Sequence, residues 1–292
     1  MTAPAGAARD VMEVVPGVDA LLRDHGRLFV VIGVFDGLHR GHVYLLRRLR
    51  AEAARRAARA AVITFDAHPD EIVRGHAPPL LLDPAERLVR LERAGIGVTV
   101  VQHFDETVRR TPYDAFLVQI RDRVELAGLL MTPDAAFGFE RRGTPGAVAD
   151  LGARVGFDLV VVPPLDLDGR AVRSAEIRAA VARGDLAAAS RLLGRSLAVT
   201  GSVVRRQTDR AAPSGFRAEL GFPLPVALPP PGSYPVTIER AWERHRARDP
   251  RAVAAVAIVG EDGRLELARR GVLPAGDRLR VVFQRDGELT PR

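Results

Sequence analysis

The segment Val30–Leu49, "VVIGVFDGLHRGHVYLLRRL", begins as an apolar run, breaks into Gly33, Asp36, Gly37, His39, Gly41 and His42, and resumes as a charged, periodic helix. A buried strand that runs straight into a helix opens a βαβ unit, and in a parallel α/β sheet ligands bind beyond the carboxyl ends of the strands. Gly33 and Gly37 let the backbone approach a ligand closely. A helix starting near Gly41 offers unpaired N–H groups and the positive end of its dipole. His39 and His42 are three residues apart, so both rings present to one polyanion. The chain has no Walker GxxxxGK[ST] pattern and no GxGxxG at this turn. The spacing G-x-F-D-G-x-H-x-G-H is a different and specific pattern.

Working outward, residues 28–35 read as a strand and Val43 to about Arg59 as a helix. Further strands are expected at "AAVITF" (60–65), "GVTVVQHF" (97–104), "LAGLLMT" (126–132) and "DLVVVP" (158–163). Helical segments fall between them at 83–95, 113–124 and near 146–155, and two short helices follow at 174–183 and 185–193. Apolar strands alternating with helices imply a parallel sheet covered on both faces. After about Leu197 the pattern changes. Short β-like runs ("LAVTGSVV", "YPVTIERAW", "AVAAVAIVG", "RLRVVFQR") separated by Gly, Pro and charged turns suit a small antiparallel barrel or sandwich, with "PLPVALPPPGSYP" as a loop or edge. Disorder is expected only in roughly the first ten residues.

Composition sets bounds. A chain of 292 residues is most simply two domains, and none of its residues is Cys, which removes disulfides and thiolate chemistry. All 43 basic residues are Arg, so no ammonium can clamp phosphate or form a Schiff base. Phosphate chemistry must then use Arg, His, backbone amides or a metal. The arginines spread along helices without interleaved aromatics, which reads as solvated helix faces and not as a nucleic-acid groove. No leader-like segment and no run of 18 apolar residues is read from the sequence, so a cytoplasmic enzyme without a membrane partner is expected.

"GVFDGLHRGH" resembles the signature of the HxGH nucleotidyltransferases. "TFDAHP" (64–69) and "GRSLAVTGSVV" (194–204) narrow the resemblance to the bacterial bifunctional riboflavin kinase/FMN adenylyltransferases. This implies an α/β fold: a Rossmann-like domain over residues 1–196, followed by a small antiparallel β-barrel over 197–292. It implies that ATP and FMN give FAD and pyrophosphate, with Mg²⁺ accompanying ATP and no metal ligand assigned in the protein. His39 and His42 would hold the ATP phosphates, with Gly33, Phe35, Asp36, Gly37 and Gly41 around the nucleotide. His68 falls in the family's P-H-P element, with Ala67 where the first Pro stands, and reads equally as a strand-end cap. "DAAFGFERRGTPGAVADL" (134–151) is similar to the family's flavin-proximal loop, with Phe137, Gly138, Arg142 and Gly143 as the matches.

Departures from the family pattern matter as much. "VRSAEIR" (172–178) stands where the family has S-S-T-x-I-R, whose hydroxyls and terminal Arg bind the ATP phosphates at a helix start. The resemblance thus implies a catalytic Arg178 and a phosphate-binding Ser174, while Arg173 and Ala175 replace two hydroxyls and Arg173 offers a guanidinium to the same phosphates. In the C-terminal half, Leu220, Gly221, Phe222 and Pro223 match the kinase segment. Leu224 and Val226 stand where Thr and Asn would bind the metal and phosphates, and neither offers an oxygen. The glycine-rich turn is reduced to "APSGFR", the resemblance puts Glu266 on the strand of the kinase base without the usual D-L-Y-G around it, and no closing helix is read before Arg292. The expectation is an FMN adenylyltransferase whose kinase domain is degenerate. A nucleotidyltransferase with another acceptor and a non-catalytic flavin- or nucleotide-binding paralogue remain open beside it.

Overall fold

A computed structural model describes residues 11–208, 215–244, 252–270 and 277–284. These form two compact units: one drawn from Met1–Val34, Leu45–Gly75 and Leu91–Pro163, the other from Phe35–Tyr44, His76–Arg90 and Pro164–Arg292. The boundary expected at 196/197 falls between the last helix and the first barrel strand.

The first unit holds six parallel strands: β1 (Glu13–Val15), β2 (Arg27–Ile32), β3 (Arg59–Phe65), β4 (Val98–Gln102), β5 (Glu125–Met131) and β6 (Asp158–Val161). Their order is β1-β4-β3-β2-β5-β6. From β2 the chain winds one way to β3 and β4, while β5 and β6 lie on the other side, so the topology switches between β2 and β5. Crevices for ligands form at such a switch. The helices are α1 (Arg40–Arg55), α2 (Pro69–Arg74), α3 (Pro84–Arg93), α4 (Glu106–Arg110), α5 (Tyr113–Arg123) and α6 (Pro145–Val155), of which α1 and α3 each run across a boundary between the units. Helix α5 buries Phe116, Leu117 and Ile120, and α6 buries Val148 and Leu151, against Val30, Ile63, Val98 and Leu129 of the sheet. Burying each such side chain stabilises the fold by about 1.5–3 kcal/mol. Helix α1 starts three residues before the expected Val43 because His39 caps it, and it ends at Arg55 because the chain turns at Ala57, which has φ 49°.

The second unit contains the small hairpin β7 (Asp166–Leu167) and β8 (Arg170–Ala171), helices α7 (Ser174–Ala182) and α8 (Leu186–Leu193), and a closed antiparallel barrel. Its strands are β9 (Ala198–Thr208), β10 (Gly215–Gly221), β11 (Gly232–Arg240), β12 (Val253–Val259), β13 (Leu265–Arg270) and β14 (Arg278–Phe283), in the cyclic order β10-β13-β12-β11-β14-β9. Closure removes exposed strand edges. Leu220, Val236, Ile238, Val259, Leu265, Leu267, Leu279 and Val281 alternate inward to form its core. The sequence reading named four barrel runs; β10 and β13 complete the cylinder. Residues 211–214, Arg285 and the segment up to Arg292 lie outside the described residues, as do the first ten, so the readings made there are left as they stand.

A charged cluster is built into this unit. Glu86, Glu239 and Arg280 are each at most 5 % exposed. Arg280 donates from Nε to Glu86 and from Nη1 to Glu239, while Arg90 donates to the other oxygen of Glu86. Burial would push the Glu86 carboxyl up, but Arg280 and Arg90 outweigh it and hold it below the ordinary range. The guanidinium carbons of Arg90 and Arg280 lie 4.7 and 4.6 Å from the Trp242 ring centroid. Among the described residues, no helix is long and apolar enough to cross a membrane.

Candidate functional site

The junction after β2 is a turn with repeated left-handed backbone. Phe35 (φ 54°), Gly37 (φ 80°) and Leu38 (φ 36°) all have positive φ, which costs a non-glycine residue about 1–3 kcal/mol. The turn is held by side chains distant in sequence. The Asp36 carboxylate accepts the Leu81 N–H at 3.0 and 3.1 Å and pairs with Arg178 Nη2. Ser174 Oγ donates to the Asp36 carbonyl at 3.1 Å, and Arg178 Nε donates to the Pro79 carbonyl at 2.7 Å. Arg195 donates to the carbonyls of Gly37 (2.6 Å) and Leu38 (3.3 Å).

This scaffold presents the two histidines. The His42 N–H donates to His39 Nδ1 at 3.3 Å, so His39 is the N-cap of α1. A neutral imidazole that accepts at Nδ1 carries its proton on Nε2, which makes His39 a hydrogen-bond donor at its other nitrogen. The two rings stack with centroids 3.7 Å apart, and Phe35 lies 5.0 Å from His42. His42 Nδ1 is buried and makes no hydrogen bond. Burial first, then Arg195 and Arg178, lowers the His39 pKa to about 4; burial, His39 and Arg195 push His42 well below its ordinary value. Both rings are neutral at pH 7. A Cβ on Gly41 would sit 3.1 Å from the His39 ring and 3.1 Å from the Val172 carbonyl, so glycine there is a packing requirement.

The first unit carries a separate aromatic cleft of about 620 Å³ at the carboxyl ends of its strands. Gly33, Val34 and His68 line it with five phenylalanines: Phe65, Phe104, Phe116, Phe137 and Phe139. Phe65 meets Phe104 edge-on at 5.3 Å, and Phe116 meets Phe137 at 6.5 Å. Its size and largely apolar lining are those of small-molecule sites. Its loop is tightly constrained: Gly138 has φ 74°, and a Cβ there would stand 2.6 Å from the Tyr113 nitrogen. Glu140 and Arg141 follow with φ 53° and 57°.

The structure thus brings Phe35, Asp36, Gly37, His39, Gly41, His42, Ser174 and Arg178 into one unit, and Gly33, His68 and Phe137 into one cleft. Within these groups several side chains have other occupations than ligand binding. Asp36 and Arg178 are paired with each other, and the Ser174 hydroxyl is committed to the backbone. His68 is the N-cap of α2, its Nδ1 accepting the Asp70 N–H at 3.2 Å. Arg142 is exposed and pairs with Glu140; Arg141, one residue earlier, lines the cleft, as do Arg74 and Arg109. Arg173 is the exposed residue preceding α7, with no side-chain cap bond. The sequence reading missed Arg195, whose partners are backbone carbonyls far away in the chain, and the converging phenylalanines. Counting F-G-x-x-R-x-G from Phe137 would have reached Arg141.

The chain is 28% identical over 289 residues to the bifunctional riboflavin kinase/FMN adenylyltransferase of Pseudomonas fluorescens, covering 93% of this chain and 88% of that one. It is 32% identical over 177 residues to the protein of the same name from Haemophilus influenzae, covering 60% of this chain and 58% of that one. In fold it resembles a crystal structure of a macrolide-efflux protein from Streptococcus pneumoniae, with a TM-score of 0.75 at 23% identity, over 94% of this chain and 89% of that one. The model of the FAD synthetase family matches residues 22–176, more than half of the sequence and both the histidine turn and the aromatic cleft, so the chain belongs to the FAD synthetase family.

Proposed function

We propose that this protein is an FMN adenylyltransferase, joining ATP and FMN to give FAD and pyrophosphate. The observation that carries the reading is the helix cap at His39 Nδ1, which leaves Nε2–H as a donor at the start of α1, beside a second imidazole and two guanidiniums. A turn of this kind suits a triphosphate, with the helix dipole adding to the attraction. The aromatic cleft suits the flat isoalloxazine. An oxygen of the FMN phosphate attacks the ATP α-phosphorus, the bond to the β-phosphate oxygen breaks, and pyrophosphate leaves. The protein's part is alignment and stabilisation of charge on the phosphate oxygens. Donation from His39 Nε2 and the amides at the start of α1 serves that purpose without a lysine.

Mg²⁺ belongs to this reading as part of the ATP substrate. The donors at the turn are N–H groups, and the carboxylate of Asp36 is already occupied by Leu81 and Arg178. That donor set fits phosphate oxygens, which carry the ion. The adenylyltransferase part is proposed to be residues 1–196 and the barrel 197–292, acting in the cytoplasm without nucleic-acid or membrane partners.

The barrel is proposed to have lost riboflavin kinase activity. Val226 packs against the barrel core, and its neighbours bond to Leu80, Pro225 O accepting and Ala227 N–H donating. Glu266 lies on the outer face of β13, opposed to Arg217 at 3.5 Å. Incubation with ATP, Mg²⁺ and either FMN or riboflavin, followed by separation of the flavins, tests both statements. FAD from FMN and no FMN from riboflavin is the expected result; no FAD after long incubation at high enzyme concentration refutes the adenylyltransferase reading.

A further inference from the structure

Arg195 stands just beyond α8 and pairs with no carboxylate among the described residues. Its guanidinium is spent on three backbone carbonyls: Gly37 at 2.6 Å, Leu38 at 3.3 Å and Leu193 at 3.4 Å. Two of these belong to the left-handed turn that precedes His39, and the third closes α8. A planar fork that reaches several acceptors at once fixes orientation as a single ammonium cannot. Phe35 and Leu38 hold unfavourable backbone angles in this turn, and Arg195 adds to the ties that Asp36 and Ser174 make there.

We propose that Arg195 is a positioning residue for phosphate binding: it locks the Gly37–Leu38 turn and thereby fixes where His39 and His42 point. Its role in turnover rests on the adenylyltransferase reading; its role in holding the turn does not. The groups that set the charge balance are few. His39 faces His42 on α1, Arg178 on α7 and Arg195, with Asp36 paired to Arg178. Arg195 in turn faces Arg90 and Glu86 on α3, Arg280 on β14 and Asp36. Arg195 therefore has two separable effects, a fork that orients and a charge that adds to burial in holding His39 unprotonated.

Two substitutions divide them. Arg195→Lys keeps the charge and loses the fork; Arg195→Met loses both. The readouts are kcat and KM for ATP, and the imidazole titration of His39 followed by NMR in the free protein, assigned against His39→Asn. For Arg195→Lys we expect kcat to fall by roughly 10- to 100-fold, the loss typical of a misplaced catalytic geometry, with the His39 midpoint kept near 4. For Arg195→Met we expect at least that loss and a His39 midpoint displaced upward. A folded Arg195→Lys with wild-type kcat and KM overturns the orienting role, and should Arg195→Met fail to fold, that comparison still decides it. A folded Arg195→Met with His39 titrating as in the wild type overturns the electrostatic one. If the wild type makes no FAD, the adenylyltransferase reading fails, while the NMR titration still decides whether Arg195 governs His39.

Discussion

His39 and His42 stack ring on ring, their planes 18° from parallel, while the backbone N–H of His42 donates to Nδ1 of His39. One nitrogen of His39 is therefore a helix cap, and the other is left as the donor that the proposed function assigns to ATP. The two jobs can be separated. His39→Asn places an amide oxygen where Nδ1 lies and should keep the cap, whereas His39→Ala should lose about 1 kcal/mol of stability. Both should lose ATP turnover to a similar degree, since neither supplies Nε2–H. Denaturant unfolding beside FAD formation measures this, and an Asn variant with near-normal turnover would show that His39 only caps.

The low pKa of His39 makes stability depend on acidity in a defined window. The folded value is about 4 and the ordinary value 6.5. Between them the unfolded chain binds more protons, so stability rises with pH across that interval. It falls as pH drops below 6.5 and stops falling on this account near 4, a total of roughly 3 kcal/mol. His42 adds in the same direction. Exposed His103, raised by Asp66, acts in the opposite sense. Carboxylates held low, such as Glu86, matter only below about 4.5. Urea midpoints at pH 7 and pH 5 should differ in the wild type and differ less in His39→Asn, which keeps the part due to His42.

Gly41→Ala is expected to damage the site more than the fold. The new Cβ would press on the His39 ring and the Val172 carbonyl at 3.1 Å each, closer than most real Cβ contacts. Only the ring can move. Turnover should fall about tenfold or more, and thermal stability should fall modestly as the displaced ring gives up its helix cap; unchanged turnover would mean that the ring has freedom the packing denies it.

Asp36→Ala should be among the most costly single changes. It strands Arg178, whose side chain is 17% exposed, and removes both acceptors of the Leu81 N–H. Breaking a buried pair in this way costs about 3–5 kcal/mol. Asp36→Asn should cost less, because it keeps an acceptor for Leu81. Chemical denaturation of the two variants gives the comparison.

Gly138→Ala tests the aromatic cleft. It adds a Cβ 2.6 Å from the Tyr113 nitrogen at a backbone φ of 74°. The loop carrying Phe137 and Phe139 must shift. FMN affinity, read by quenching of flavin fluorescence, should weaken about tenfold or more, while the melting of the barrel is unaffected.

Much of this was legible in the sequence because it rests on local rules. The apolar strands before and after the histidine turn, the Asp-Pro start of α3 and the Gly95 stop are patterns of neighbours. Elements too short for a period to register, such as β1 with three residues and α4 with five, were not. Strand β10 escaped because "GFRAELG" is bounded by glycine at both ends and carries two charges, although Phe216, Ala218 and Leu220 alternate. In the site, motif residues were found where the resemblance named them, but their duties were not. Asp36 and Arg178 lie 142 positions apart, and only folding reveals that they satisfy each other. Arg195 binds carbonyls, which every residue has, so no side-chain pattern announces it.

The pair of guanidiniums beside Trp242 has a practical corollary. This is the only indole in the chain, so all tryptophan emission originates next to Arg90 and Arg280. Its spectrum is a built-in optical probe of the Glu86–Arg280–Glu239 cluster and is blind to the parallel sheet. Unfolding followed by that light alone will report one unit's melting, and a second probe such as far-ultraviolet dichroism will separate the two transitions if they do not coincide.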